Sequence, residues 1–100
     1  MKNKVVIITG ASSGLGAELA KLYAKSGNSL GLIARRKSRL IELKKTLETE
    51  FGTTIMIKAC DVSNQDAVFH CIHDMISNFG RVDLLIANAG IGLDRKSTRL

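Results

Sequence analysis

Thr9-Gly10-Ala11-Ser12-Ser13-Gly14-Leu15-Gly16 follows the apolar run Val5-Val6-Ile7-Ile8 and leads into Leu15, Leu19, Leu22 and Tyr23 at helical spacing. A strand therefore enters a helix through a turn that carries three glycines. An unbroken apolar strand fits burial on both faces of a parallel sheet. A helix start exposes unpaired N–H groups and the positive end of its dipole, which together seat an anion, and a β-carbon at closest approach would block it. Gly10 is expected to allow the tight turn out of the strand. Gly14 and Gly16 are expected to let the chain come close to a pyrophosphate and to the sheet, with Ser12 and Ser13 adding hydroxyl donors. Glycines also end strands without any ligand, and a bare triplet would be weak; the strand before and the helix after favour the phosphate reading.

The same alternation continues outward. Ser26-Gly27-Asn28 stops the first helix, and Leu30 to Ala34 reads as a second strand, weakened by Gly31. Leu40, Leu43, Leu47 and Phe51 mark a second helix ended by Gly52, and Thr54 to Ala59 a third strand. Ser63 with Asp66 resembles a capping box opening a third helix, whose stripe is Val68, Cys71, Ile72, Met75, Ile76 and Phe79, ended by Gly80. Val82 to Ala87 reads as a fourth strand. The order βαβαβαβ implies an α/β fold with a parallel sheet and right-handed crossovers. The first two helices are expected on one sheet face and the third on the other.

One hundred residues with 45% hydrophobic content allow one small packed domain. The net charge is +6, but the basic residues cluster as Arg35, Arg36, Lys37 and Arg39, and as Arg95, Lys96 and Arg99, so nucleic-acid binding is not expected. No signal peptide or membrane-spanning run is read, and a cytoplasmic, non-membrane protein is expected. Cys60 and Cys71 lack metal-ligand spacing and are expected to be reduced and structural.

TGASSGLG at positions 9–16 resembles the TGxxxGxG fingerprint of the short-chain dehydrogenases/reductases. The resemblance extends from Lys4 to Ile91. It implies a Rossmann-type doubly wound parallel sheet and an oxidoreductase moving hydride between a nicotinamide coenzyme and an alcohol/carbonyl substrate. In dinucleotide folds an acid near the end of the second strand binds the ribose hydroxyls of NAD. That place holds Ala34, followed by Arg35 and Arg36, whose guanidinium groups suit the extra phosphate of NADP. Arg35 is the expected 2′-phosphate contact, with Arg36 assisting or stacking on adenine; arginines solvated on a loop are the bland alternative.

The family's aspartate after the third strand, which bonds the adenine amino group, matches Asp61, with Val62 packing on the ring. Asp61 could equally cap the loop before Ser63. Asn88-Ala89-Gly90 matches the family's NAG motif beside the coenzyme ribose, where Asn88 can bridge neighbouring strands. Position 87 is alanine where many members have a second asparagine.

His70 and His73 lie off the apolar stripe and read as a solvated face, so no metal is expected. Tyr23 is the sole tyrosine, and the position four residues on is Gly27 where the family's tyrosine–lysine pair would need lysine. No residue here is expected to be catalytic, because the family's serine, tyrosine and lysine come later. The chain thus reads as the front part of such a protein, cut after the fourth strand, with that strand an exposed edge. Residues 1–93 are expected to be the NADP-binding part. The ending Asp94-Arg95-Lys96-Ser97-Thr98-Arg99-Leu100 resembles a translated adapter and is left out of the fold; without it the charge falls from +6 to +4, as three basic residues and one acid leave. The rival function is a non-catalytic NADP-binding sensor or scaffold, which lack of the downstream serine and tyrosine–lysine pair would favour. The resemblance implies homo-oligomers for the full-length protein.

Overall fold

Val5–Thr9 forms β1, every residue of it buried, at the centre of the sheet. The computed structural model describes residues 2–88 and 96–99. After β1 come α1 (Gly14–Lys25), β2 (Ser29–Ala34), α2 (Lys37–Phe51), β3 (Ile55–Ala59), α3 (Gln65–Phe79), β4 (Leu84–Ala87) and β5 (Lys96–Arg99). The strand order is β3-β2-β1-β4-β5, and the first four strands are mutually parallel. This is the Rossmann-like doubly wound sheet expected from the alternation.

Alternation along β1 divides the core. Val6 and Ile8 join Ala20 and Ala24 of α1, and Leu40 and Leu47 of α2, on one face. Ile7 and Ile33 meet Val68, Ile72 and Met75 of α3 on the other. The expected stripe of α1 is right in part: Leu19 and Tyr23 pack against the core, while Leu15 is 45% and Leu22 57% exposed, and the fully buried positions are Gly16, Ala20 and Ala24. Small residues four apart let the helix lie close to the strands. Gly31 likewise has a packing role that propensity hides. A β-carbon there would lie 2.6 Å from Met75 Sδ and 3.1 Å from Ile7 Cγ1.

Two expectations are corrected. The cap of α3 is Asn64, whose side chain accepts from the Ala67 N–H at 3.1 Å, and not Ser63. Ser63 is committed instead to Asp61, a competing local bond. Nor does the sheet stop at its fourth strand: Lys96–Arg99, expected outside the fold, pairs antiparallel with β4. An uncovered strand edge is a template for any extended segment nearby. With residues 88–95 as the only connection, a parallel return, which needs a dozen or more residues, is out of reach.

Asp83 ties the start of β4 to the start of β1. Its Oδ2 accepts from the Val5 N–H at 2.8 Å and from Arg81 Nε at 2.9 Å, and its own N–H donates to Val5 O at 2.9 Å. The Val5 N–H, and secondarily Arg81, hold this carboxyl below the usual 3.8. A carboxyl whose folded pKa is depressed stabilises fully above its unfolded value, and the contribution is lost as pH falls through the folded one. Asp83→Asn is therefore expected to lower the urea midpoint at pH 7 and to flatten the decline of that midpoint below about pH 4. An unchanged acid limb in the variant would count against this assignment.

Candidate functional site

Because β1 to β4 run parallel, their carboxyl ends share one edge. The chain leaves β1 for β2 on one side and later returns to pair β4 on the other, which opens a crevice at the strand ends. A cleft of about 480 Å³ lies there, lined by Gly10, Ser12, Ser13, Ala34, Arg35, Arg36, Arg39, Val62 and Asn88.

The first turn is built from backbone constraints. Gly10 has φ +66°, a left-handed conformation that a β-carbon disfavours. Ser13 Oγ donates to Gly10 O at 2.8 Å, and Ala11 N–H donates to Ile33 O at 3.1 Å, which ties the turn to the end of β2. A β-carbon on Gly16 would collide with Gly10 O and lie 2.9 Å from both Ala11 Cα and Asn88 Nδ2. Gly14 is the opposite case, since a β-carbon there meets nothing within 4 Å. Its smallness serves no internal contact, and it is the first residue of α1. Leu15 follows it, exposed at the same end.

The two serines divide. Ser13 gives its proton to Gly10 and accepts from Asn88 Nδ2 at 3.3 Å, so its hydroxyl closes the turn and is not the outward donor expected. Ser12 lines the cleft with no hydrogen-bond partner among the described residues. Asn88 bridges as expected: Nδ2 donates to Gly10 O at 3.4 Å, and its N–H donates to Thr9 Oγ1 at 3.1 Å. Ala89 and Gly90 lie outside the described residues.

At the end of β2, Ala34 is buried while Arg35 and Arg36 are exposed, Arg36 standing at the N-cap position of α2. Asp61 Oδ1 accepts from Ser63 Oγ at 2.7 Å and from Ser63 N–H at 3.0 Å, with Arg35 at 3.5 Å. The Ser63 hydroxyl, then its N–H, and more weakly Arg35, hold the Asp61 carboxyl below its ordinary value. The loop-capping use of Asp61 is thus present in the structure, on one oxygen. Val62, half-buried, lines the cleft directly. The ionisable groups lining the cleft, among the described residues, are Arg35, Arg36 and Arg39. Arg39 was not among the expected contacts; its signal was its place in the basic cluster, three residues after Arg36.

Elsewhere the chemistry is sparse. His70 and His73 are exposed, and no group of three metal-ligating side chains occurs among the described residues. Tyr23 packs half-buried against the α1–α2 face of the core. Burial, and then its neighbour Cys71, pushes the Cys60 thiol up to about 11, so it stays protonated at neutral pH. Among the described residues no helix is long and apolar enough to cross a membrane.

A sequence profile described as "short chain dehydrogenase" matches residues 4–100. An 11-beta-hydroxysteroid dehydrogenase of Pinus massoniana is 40% identical over 92 residues, which is 92% of this chain and 26% of that protein. The crystal structure of L-sorbose reductase from Gluconobacter frateurii, complexed with NADPH and L-sorbose, superposes with a TM-score of 0.84 at 38% identity, over 89% of this chain and 34% of that one. An NAD+-bound xylitol dehydrogenase superposes with a TM-score of 0.82 at 28% identity, over 89% and 34%. The chain thus spans about a quarter to a third of the length of these relatives.

Proposed function

This chain belongs to the short-chain dehydrogenase family of oxidoreductases, and on that premise we propose that it holds NADP(H) for a protein interconverting an alcohol and a carbonyl compound. The observation that carries the reading is the cleft: three guanidinium groups beside the glycine turn, and a buried Ala34 where NAD binding would want a carboxylate. The fit is one of donor set and space. Its neighbours in fold include an NADPH complex and an NAD+ complex, so the choice between the coenzymes rests on the residues of this cleft.

In this proposal Gly10, Ser12, Gly14, Leu15 and the start of α1 seat the pyrophosphate, Ser13 and Gly16 keep the turn closed, and Arg35 and Arg36 bind the ribose 2′-phosphate. Asp61 and Val62 border the adenine, and Asn88, Ala89 and Gly90 run beside the second ribose. The bound coenzyme supplies or accepts the hydride. Proton transfer needs a donor near neutral pKa close to the substrate oxygen, and Tyr23, packed on the core and four residues before Gly27, is not placed for it. The 100-residue chain alone is therefore proposed to turn over nothing and to bind NADP more weakly than about 1 μM.

Calorimetric titration with NADP and NAD tests this. NADP should bind at least about tenfold more tightly than NAD, and Arg35→Asp should abolish that preference. Equal affinity for the two coenzymes in the unaltered chain would sink the NADP assignment, and tight submicromolar binding would sink the weak-binding one.

A further inference from the structure

Arg39 is the third residue of α2, the third cation lining the cleft, and outside the loop that carries Arg35 and Arg36. It also lines an adjoining recess of about 280 Å³ with Ser12, Ala17, Glu42, Leu43 and Thr46. Arg39 and Ser12 are the two residues common to both spaces. A guanidinium from α2 and a hydroxyl from the α1 turn therefore meet at one boundary, each without a hydrogen-bond or ion-pair partner among the described residues.

The three arginines are not equivalent. Arg35 is already shared with Asp61 at 3.5 Å. Arg36 occupies the N-cap of α2 and offers that end no side-chain acceptor. Arg39 sits beyond it in a first turn that holds Lys37 and no acid. Cations at the positive end of a helix dipole are unfavourable unless an anion balances them. Glu42, one turn along the same face, makes no ion pair with Arg39.

From this juxtaposition we propose that Arg39 closes the 2′-phosphate subsite from the α2 side and is a specificity-determining residue for a 2′-phosphorylated adenosine. The proposal rests on the coenzyme reading above. A phosphomonoester carries up to two negative charges, so losing one screened cation beside it is expected to weaken binding about fivefold. A ligand without that phosphate should not register the change.

The test is NMR titration of the chain with adenosine 2′,5′-bisphosphate and with 5′-AMP, which reads millimolar affinities directly. Arg39→Gln should lose about fivefold for the bisphosphate and keep 5′-AMP within about twofold, and Arg39→Lys should recover part of the loss. The side chain is exposed, so both variants should melt with the unaltered chain. Unchanged bisphosphate affinity in Arg39→Gln, or an equal loss for both probes, would overturn the inference and leave the coenzyme reading standing. An unaltered chain that does not prefer the bisphosphate would overturn that reading and the inference with it.

Discussion

Gly16→Ala should destabilise the chain by about 3 kcal/mol, the upper end of what overpacking commonly costs. Its β-carbon would press on Gly10 O, Ala11 Cα and Asn88 Nδ2, and two of those atoms are backbone held in a hydrogen-bonded turn. Neither neighbour has a rotamer to escape into, so the turn must open or α1 must lift from the sheet. For a domain this small the loss corresponds to a fall in melting temperature on the order of 15 °C. Gly14→Ala is the matched control two residues away. Its β-carbon meets nothing, and alanine suits a helix better than glycine by about 0.5–1 kcal/mol, so stability should hold or rise. Binding of NADP should nonetheless fall, because the added methyl stands at the helix start proposed to seat the pyrophosphate. Thermal melts and a coenzyme titration on the two variants separate packing from ligand approach. Loss of stability in Gly14→Ala, or none in Gly16→Ala, would mean the two glycines have been assigned each other's roles.

Gly31→Val should be nearly as damaging, for a different reason. The space above Gly31 is filled by Met75, fully buried on α3, with Ile7 beside it. A thioether chain is adaptable, so Gly31→Ala should cost only about 1 kcal/mol as Met75 shifts. Valine has two further carbons and a stiff χ1, and about 3 kcal/mol is expected. Shortening the partner should relieve the clash: Met75→Ala ought to be far less harmful in the Gly31→Val background than alone. Urea unfolding of the four proteins gives the coupling, expected to exceed about 1 kcal/mol. Additive losses would show that Met75 does not fill this space.

These two glycines show what a sequence discloses and what it withholds. The phosphate turn was legible because its glycines fall at fixed offsets between two periodic elements. Gly31 looked like a weak point, since a strand glycine has low propensity and its compensation sits on a helix forty-four residues later. The inward face of α1 misled in the same way. Leu15 and Leu22 have the right period but are exposed; Leu19 and Tyr23 pack at the flank of the contact, and its fully buried centre is held by the small residues Gly16, Ala20 and Ala24. Arg35, Arg36, Val62 and Asn88 were legible as strand-end residues. Arg39 was not, because whether the first turn of α2 reaches the cleft depends on how that helix leaves β2. Ser63 and Asn64 both suit a cap, and only the bond from Ser63 to Asp61 decides between them.

The central position of β1 also sets the order in which the chain can be built. One edge of β1 is satisfied by β2, soon after it is made. The other waits for β4, whose anchor Asp83 lies 78 residues beyond Val5. At ordinary translation rates of about 5–20 residues per second, roughly 4–16 s pass before that partner exists. Through that interval a strand that ends up buried at every position carries a bare edge on a nascent chain, the condition under which strands recruit one another. Abundance in the cell should therefore depend on holdase chaperones acting during synthesis, and slowing the ribosome between β2 and β4 should lower the yield of soluble chain.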